Sequence, residues 1–226
     1  MRESATRVRT WVTVGVASGL LATVVYPLLI FVPMPLVLTV ALSAAFGPLL
    51  AVASMGLYHF MAASRPTVSL QIGVVFNIIA GTLVNAMLVV QLTVREFLAV
   101  RLAGAGDART RELIEWSYSA ADKVQLGLDV SWDIYISVGT ILFALNMVRH
   151  PRFGRIMGSA GIAIGALLLA FNLASFPAPP AEAGSIDLGP LVGVWYFVVA
   201  LFMIRGLREM RRALGEESLA GPTPGR

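Results

Sequence analysis

Six long apolar stretches, at about 10–32, 36–61, 67–93, 124–148, 156–176 and 188–205, occupy most of the chain. Each is close to the roughly 20 residues a helix needs to cross the hydrocarbon of a bilayer. In lipid a backbone must satisfy its polar groups internally, so segments of this length are helices. The expected fold is an all-α, polytopic transmembrane helical bundle with six spans. Composition agrees: 57% of residues are hydrophobic and 13% charged, against about 25% charged in a soluble domain.

The basic residues sort by side. With the N-terminus inside, the inner side holds Arg2, Arg7, Arg9, Arg65, Arg149, Arg152, Arg155, Arg205, Arg208, Arg211, Arg212 and Arg226. The outer side holds Arg95, Arg101, Arg109, Arg111 and Lys123, balanced by Glu96, Asp107, Glu112, Glu115 and Asp122. Twelve against five is the asymmetry the positive-inside rule requires, so both termini are expected in the cytoplasm of a multi-pass inner (plasma) membrane protein. Arg2, Arg7 and Arg9 before an apolar run imitate a secretory signal, but no cleavage site follows, and the run reads as a retained first span. The positive charges flank apolar runs rather than one soluble face, which argues against nucleic acid as a partner. Arg149, Arg152, Arg155, Arg208, Arg211 and Arg212 are expected to meet anionic lipid headgroups.

No linker divides the spans, so residues 1–212 read as one membrane domain. The tail 213–226, small, polar and containing Pro and Gly, is expected to be disordered. The long connection 94–123 reads as an outer loop. Leu113, Ile114, Trp116 and Tyr118 among its charges suggest an interfacial amphipathic helix capped by Asp107, with a solvated loop as the alternative.

Only Asp129 and Asp133, of thirteen acidic residues, fall well inside a span. Gln125, Asp129, Asp133 and Ser137, four residues apart, share one face of the fourth span, with Trp132 and Thr140 beside it. Counting 1.5 Å per residue puts Asp133 roughly 5 Å and Asp129 roughly 10 Å to the outer side of the midplane. A carboxylate there costs on the order of 3 kcal/mol, and an intramembrane ionisable group points to function by default. No Lys or Arg lies at that depth, so the candidates are a bound proton, a cation, neutral hydrogen-bond partners or a water-filled vestibule. Tyr26, Asn85 and Asn172 lie at matching depth in the first, third and fifth spans. If the faces converge, these five residues line an outward-facing polar cavity for a proton, a small cation or a small polar ligand.

Other features read as packing. Ser69, Gly73, Asn77, Gly81 and Asn85 form a small-residue stripe along the third span, and Gly158, Gly161 and Gly165 another along the fifth. Pro27 and Pro48 are expected to kink the first two spans. The absence of cysteine removes disulfides and thiolate chemistry. The two histidines, His59 and His150, lie near inner span ends without further ligands, so no metal site and no cofactor is expected. No P-loop, dinucleotide fingerprint or hydrolase motif is present, which turns the reading away from an enzyme.

At SLQIGVVFNIIAGTLVNAMLVVQ and DVSWDIYISVGTILFALNMVRHPRFGRIMG the chain resembles a family of uncharacterised bacterial multi-span membrane proteins, a domain of unknown function. The resemblance implies a membrane location and supplies no substrate or catalytic residue. Two functions fit the residues: a small transporter or ligand-binding membrane protein built on the aspartate pair, and a scaffold or regulatory subunit. The scaffold would bind partner helices, a second copy or a membrane subunit, and anionic lipid.

Overall fold

The computed structural model describes residues 2–219, with side chains over 6–209. It contains α1 (Arg2–Phe31), α2 (Leu36–Ala62), α3 (Val68–Ala103), α4 (Ala108–Met147), α5 (Gly154–Ser175) and α6 (Gly189–Leu219), with no strand among the described residues. All six helices include a segment long and apolar enough to cross a membrane, so the chain is a six-helix, multi-pass membrane protein. Helices adjacent in sequence pack on one another and α1 meets α6, which closes the bundle into a ring.

Between helices of equal apolarity in lipid, close backbone approach and hydrogen bonds replace the hydrophobic drive. Glycines accordingly stand at successive contacts. Gly15 of α1 faces Gly56 of α2, so that a Cβ on one would lie 2.5 Å from the Cα of the other. Gly47 of α2 meets the Gly81 carbonyl of α3, and Gly139 of α4 leaves space filled by the Asn77 side chain. On α5, Gly158 lies against Val148 and Ala144, Gly161 against the Trp195 ring, and Gly165 against the Ser137 carbonyl and Ile141. Gly73 faces Leu142 across α3 and α4, where an added Cβ would lie 3.3 Å from the Leu142 Cβ, a tight contact.

Buried apolar side chains form one large cluster toward the arginine-rich end, with Val12, Phe60, Leu70, Phe143, Met157 and Trp195 from all six helices. Two smaller clusters lie toward the other end. One joins Ala22, Phe46 and Val84 of α1, α2 and α3; the other joins Ala80, Ile136, Leu168 and Val192 of α3, α4, α5 and α6. Trp132 packs against both.

Two expectations are corrected. Residues 94–123 are not a loop with a separate helix: α3 runs on to Ala103, α4 begins at Ala108, and residues 104–107 alone turn the chain. The segments VREFLAVRLA and ARTRELIEWSYSAADK consist largely of strong helix formers, and only GAGD between them interrupts. Asp107 caps α4 itself, its Oδ1 accepting from Thr110 N–H at 2.8 Å and its Oδ2 from the Thr110 hydroxyl at 2.7 Å. The tail is also helical as far as Leu219, because ALGEES carries helix formers past the last span; residues 220–226 lie outside the described residues.

Candidate functional site

Asp133 is 3% exposed on the inward face of α4. It faces Asn172 of α5, which is fully buried and donates from Nδ2 to Asp133 Oδ2 at 2.8 Å. The second Nδ2 hydrogen goes to the Leu168 carbonyl at 3.0 Å. That leaves Asp133 Oδ1 and Asn172 Oδ1 buried without a partner. Asp133 has no ion pair, since among the described residues the sole pair is Arg152–Glu209 at the opposite end.

Asp129, one turn toward the α3–α4 turn, is half-buried. Its charge and that of the exposed Asp187, just before α6, both act on Asp133 and on Tyr26. Asp187 also acts on Asp129, and its Oδ1 accepts from Gly189 N–H at 2.7 Å at the start of α6. Exposed Asp187, half-buried Asp129 and buried Asp133 thus lie toward the same end of the bundle. Tyr26 stands beside them, its ring stacked on Phe46 at 5.2 Å and tilted toward Trp132 at 6.4 Å.

The polar column continues down α4. Ser137 and Thr140 are fully buried. Thr140 Oγ1 shares a hydrogen bond with the Tyr196 hydroxyl of α6 at 3.0 Å, and Asn77 of α3 donates to that hydroxyl at 2.7 Å and to Ser54 of α2 at 3.2 Å. Four helices meet at this knot. Among the described residues, the buried side-chain atoms without a partner are Asn77 Oδ1, Trp132 Nε1, Asp133 Oδ1, Ser137 Oγ, Asn172 Oδ1 and His150 Nε2. Of these six all but His150 lie along this one column. Buried polar atoms are ordinarily satisfied by protein or water, so their concentration in one place sets this column apart from the rest of the interior.

Of the five residues expected to converge, the structure joins Asp133 and Asn172 by a hydrogen bond; Asp129 lies one turn along the same helix, and Tyr26 reaches α4 through its ring beside Trp132. Asn85 lies apart. With its amide nitrogen turned to α2 it donates to the Ser43 and Ala44 carbonyls at 2.9 and 3.0 Å, and its Cβ fills the space over Gly47. It is a clasp between α3 and α2. Sequence reasoning passed over Asp187, counted among loop acids, and the Tyr196–Asn77–Thr140–Ser54 knot. The signal for Asp187 was its place at the mouth of the sixth span, on the side toward which both buried aspartates lie.

At the arginine-rich end, Arg149, Arg155 and Arg208 are exposed, while Arg152 pairs with Glu209 at 3.0 Å and lies over the Phe60 ring; the Arg211 and Arg212 side chains lie outside the described residues. His150, between α4 and α5, is buried against Phe60 and Phe153. Burial first, then the neighbouring Arg152 charge, push its pKa down to about 4. No cluster of three or more potential metal ligands occurs among the described residues. Comparisons with protein-family models, curated proteins and solved structures returned no match.

Proposed function

We propose that this protein is a small membrane transporter of the plasma membrane in which Asp133 is the proton- or cation-exchanging group, reached from the outer side through Asp187 and Asp129. The observation that carries the reading is the buried Asp133–Asn172 pair with one orphaned oxygen on each partner. A carboxylate at this depth costs on the order of 3 kcal/mol, and one hydrogen bond to a charged group returns about 1.5–3 kcal/mol. The second oxygen returns nothing. A proton on Asp133 removes the charge and supplies the donor that the Asn172 carbonyl lacks, and a small cation between the two orphaned oxygens achieves the same balance. Either species can leave toward Asp129, so occupancy of the site is exchangeable, which is what coupling a substrate to an ion requires. Tyr26 and Trp132 line the approach, and the Tyr196 knot closes the column below.

The test is infrared difference spectroscopy of the purified protein across pH. A protonated-carboxyl band is expected at neutral pH, absent in Asp133→Asn, displaced in Asn172→Ala and kept in Asn85→Ala. Added sodium should displace the band if the site also takes a cation. A spectrum in which neither aspartate contributes a protonated band, with or without sodium, would remove the exchanging site and leave a scaffold that binds partner helices.

A further inference from the structure

The column does not account for a second feature at the arginine-rich end. A cavity of about 690 Å³ opens between the α2–α3 link and the α4–α5 link. Arg65 and Arg149 line it from opposite links, with Ser64, Ser69 and His150 between them and no acidic residue among the lining. Both arginines are exposed, and neither forms an ion pair within the described residues. The floor is built. Thr67 caps α3, accepting from Leu70 N–H at 3.3 Å, and donates to Asn146 Oδ1 of α4 at 2.8 Å; Asn146 Nδ2 donates to Ser69 at 2.9 Å. The N-terminus of α3, with first-turn N–H groups that lack intrahelical acceptors, therefore opens on the same space. His150, 5% exposed, is among the lining residues. The other wall is apolar: Met61, Leu70 and Leu145, the last of them half exposed on the bundle surface.

We propose that this cavity is a binding site for a phosphate-bearing anion. Two unpaired guanidiniums on separate links supply forked donors suited to phosphate oxygens. The α3 N-terminus and the Ser64 and Ser69 hydroxyls supply further donors, and the absence of acids keeps the field single-signed. The apolar wall running out to Leu145 provides a surface along which the acyl chain of a phospholipid would lie, while a free phosphate would use the polar half alone. Because the anion bridges the α2–α3 and α4–α5 links, its binding ties the two halves of the ring together.

The full chain, delipidated in detergent, is titrated with short-chain phosphatidylglycerol, with inorganic phosphate and with phosphate-free diacylglycerol, read by native mass spectrometry and calorimetry. R65Q/R149Q is expected to weaken phosphate-bearing ligands at least roughly tenfold, and R101Q/R109Q, at the far end of the bundle, to leave them unchanged. Binding of phosphatidylglycerol alone assigns the anion to a lipid headgroup; comparable binding of inorganic phosphate assigns it to a soluble source. Equal binding of diacylglycerol, or equal weakening by both double variants, overturns the site. If R65Q/R149Q does not fold, R65K/R149K keeps the charge but loses the forked donors. It should still bind several-fold more weakly, and undiminished binding by that variant overturns the site as well.

Discussion

Gly47 and Gly127 show how one substitution takes opposite signs on two helices of the same bundle. A Cβ at Gly47 would strike the Gly81 carbonyl oxygen and lie 2.6 Å from the Asn85 Cβ, whereas at Gly127 it would meet nothing within 4 Å. Backbone cannot yield as a side chain can, and forced overpacking costs about 1–3 kcal/mol. In a helix interior, replacing Gly by Ala otherwise gains roughly 0.5–1 kcal/mol. Gly47→Ala is therefore expected to lower the unfolding temperature in detergent and Gly127→Ala to hold or raise it; equal shifts would mean that α2 and α3 do not approach closely here. The sequence made half of this contact visible. Gly81 stood out by its four-residue spacing with Asn77 and Asn85, while Gly47 belongs to no such pattern, because a contact belongs to two helices and each helix displays only its own face. Asn85 teaches the same lesson. Its depth was readable from rise per residue, but the direction it points around the helix axis depends on which neighbours flank α3. Asp133 and Asn172, the single amide of α5, do meet at the matching depth the sequence indicated, while depth alone did not choose between Asp129 and Asp133.

At the scale of elements, helix type and span number were readable because apolar runs of this length admit one solution in lipid, while the ends outside the lipid were not. Beyond residue 93 charge and apolarity alternate, which suits a solvated helix as well as a loop. The short GAGD turn, with Asp107 as cap, is the feature that distinguishes them. The α4–α5 link holds a buried titratable group, His150. Gly154, which opens α5 after it, has φ 72°, a conformation suited to glycine. Gly154 N–H bonds to the His150 carbonyl at 3.0 Å, and His150 Nδ1 accepts from Arg152 N–H at 3.3 Å. Protonating His150 would remove that acceptor and place a cation beside Arg152, within a wall of Phe60 and Phe153. Its folded pKa, about 4, lies below its ordinary 6.5. Below pH 6.5 the unfolded chain therefore binds a proton that the folded chain does not, and stability is complete above that value and declines as pH falls toward 4. Thermal melts at pH 7.5 and 5 should show this loss in the wild type, and His150→Phe, which keeps an aromatic ring and removes the titration, should lose less. Equal losses in the two proteins would assign the decline to other groups.

For the whole molecule the open question is which way it faces, because the exchange path and the proposed anion site lie at opposite ends and their meaning depends on the side each one meets. Helices of 36 and 40 residues, α3 and α4, are roughly 54 and 60 Å long at 1.5 Å per residue, against about 30 Å of hydrocarbon. Some 25 Å of hairpin must therefore stand clear of one membrane face. By the positive-inside rule we propose that this face is the outer one, since the hairpin carries balanced charges and the other end the excess of arginine. The chain has no cysteine, so a single introduced thiol reports its own side against no background. Gly106, at the hairpin turn, has open space around it, while Ala63, after α2, and Ala181, between α5 and α6, are exposed. A membrane-impermeant maleimide applied to intact cells is expected to label Gly106→Cys and Ala181→Cys at once, and Ala63→Cys only after permeabilisation. In that orientation Asp187 and Asp129 open to the exterior and draw on its protons or cations, and Arg65 and Arg149 meet the anionic inner leaflet. The reverse labelling would turn both around: the exchange path would open to the cytoplasm, and the arginine cavity would face outside, away from that leaflet. A lipid anion there would then lose its electrostatic rationale, and a soluble phosphate would become the ligand to pursue.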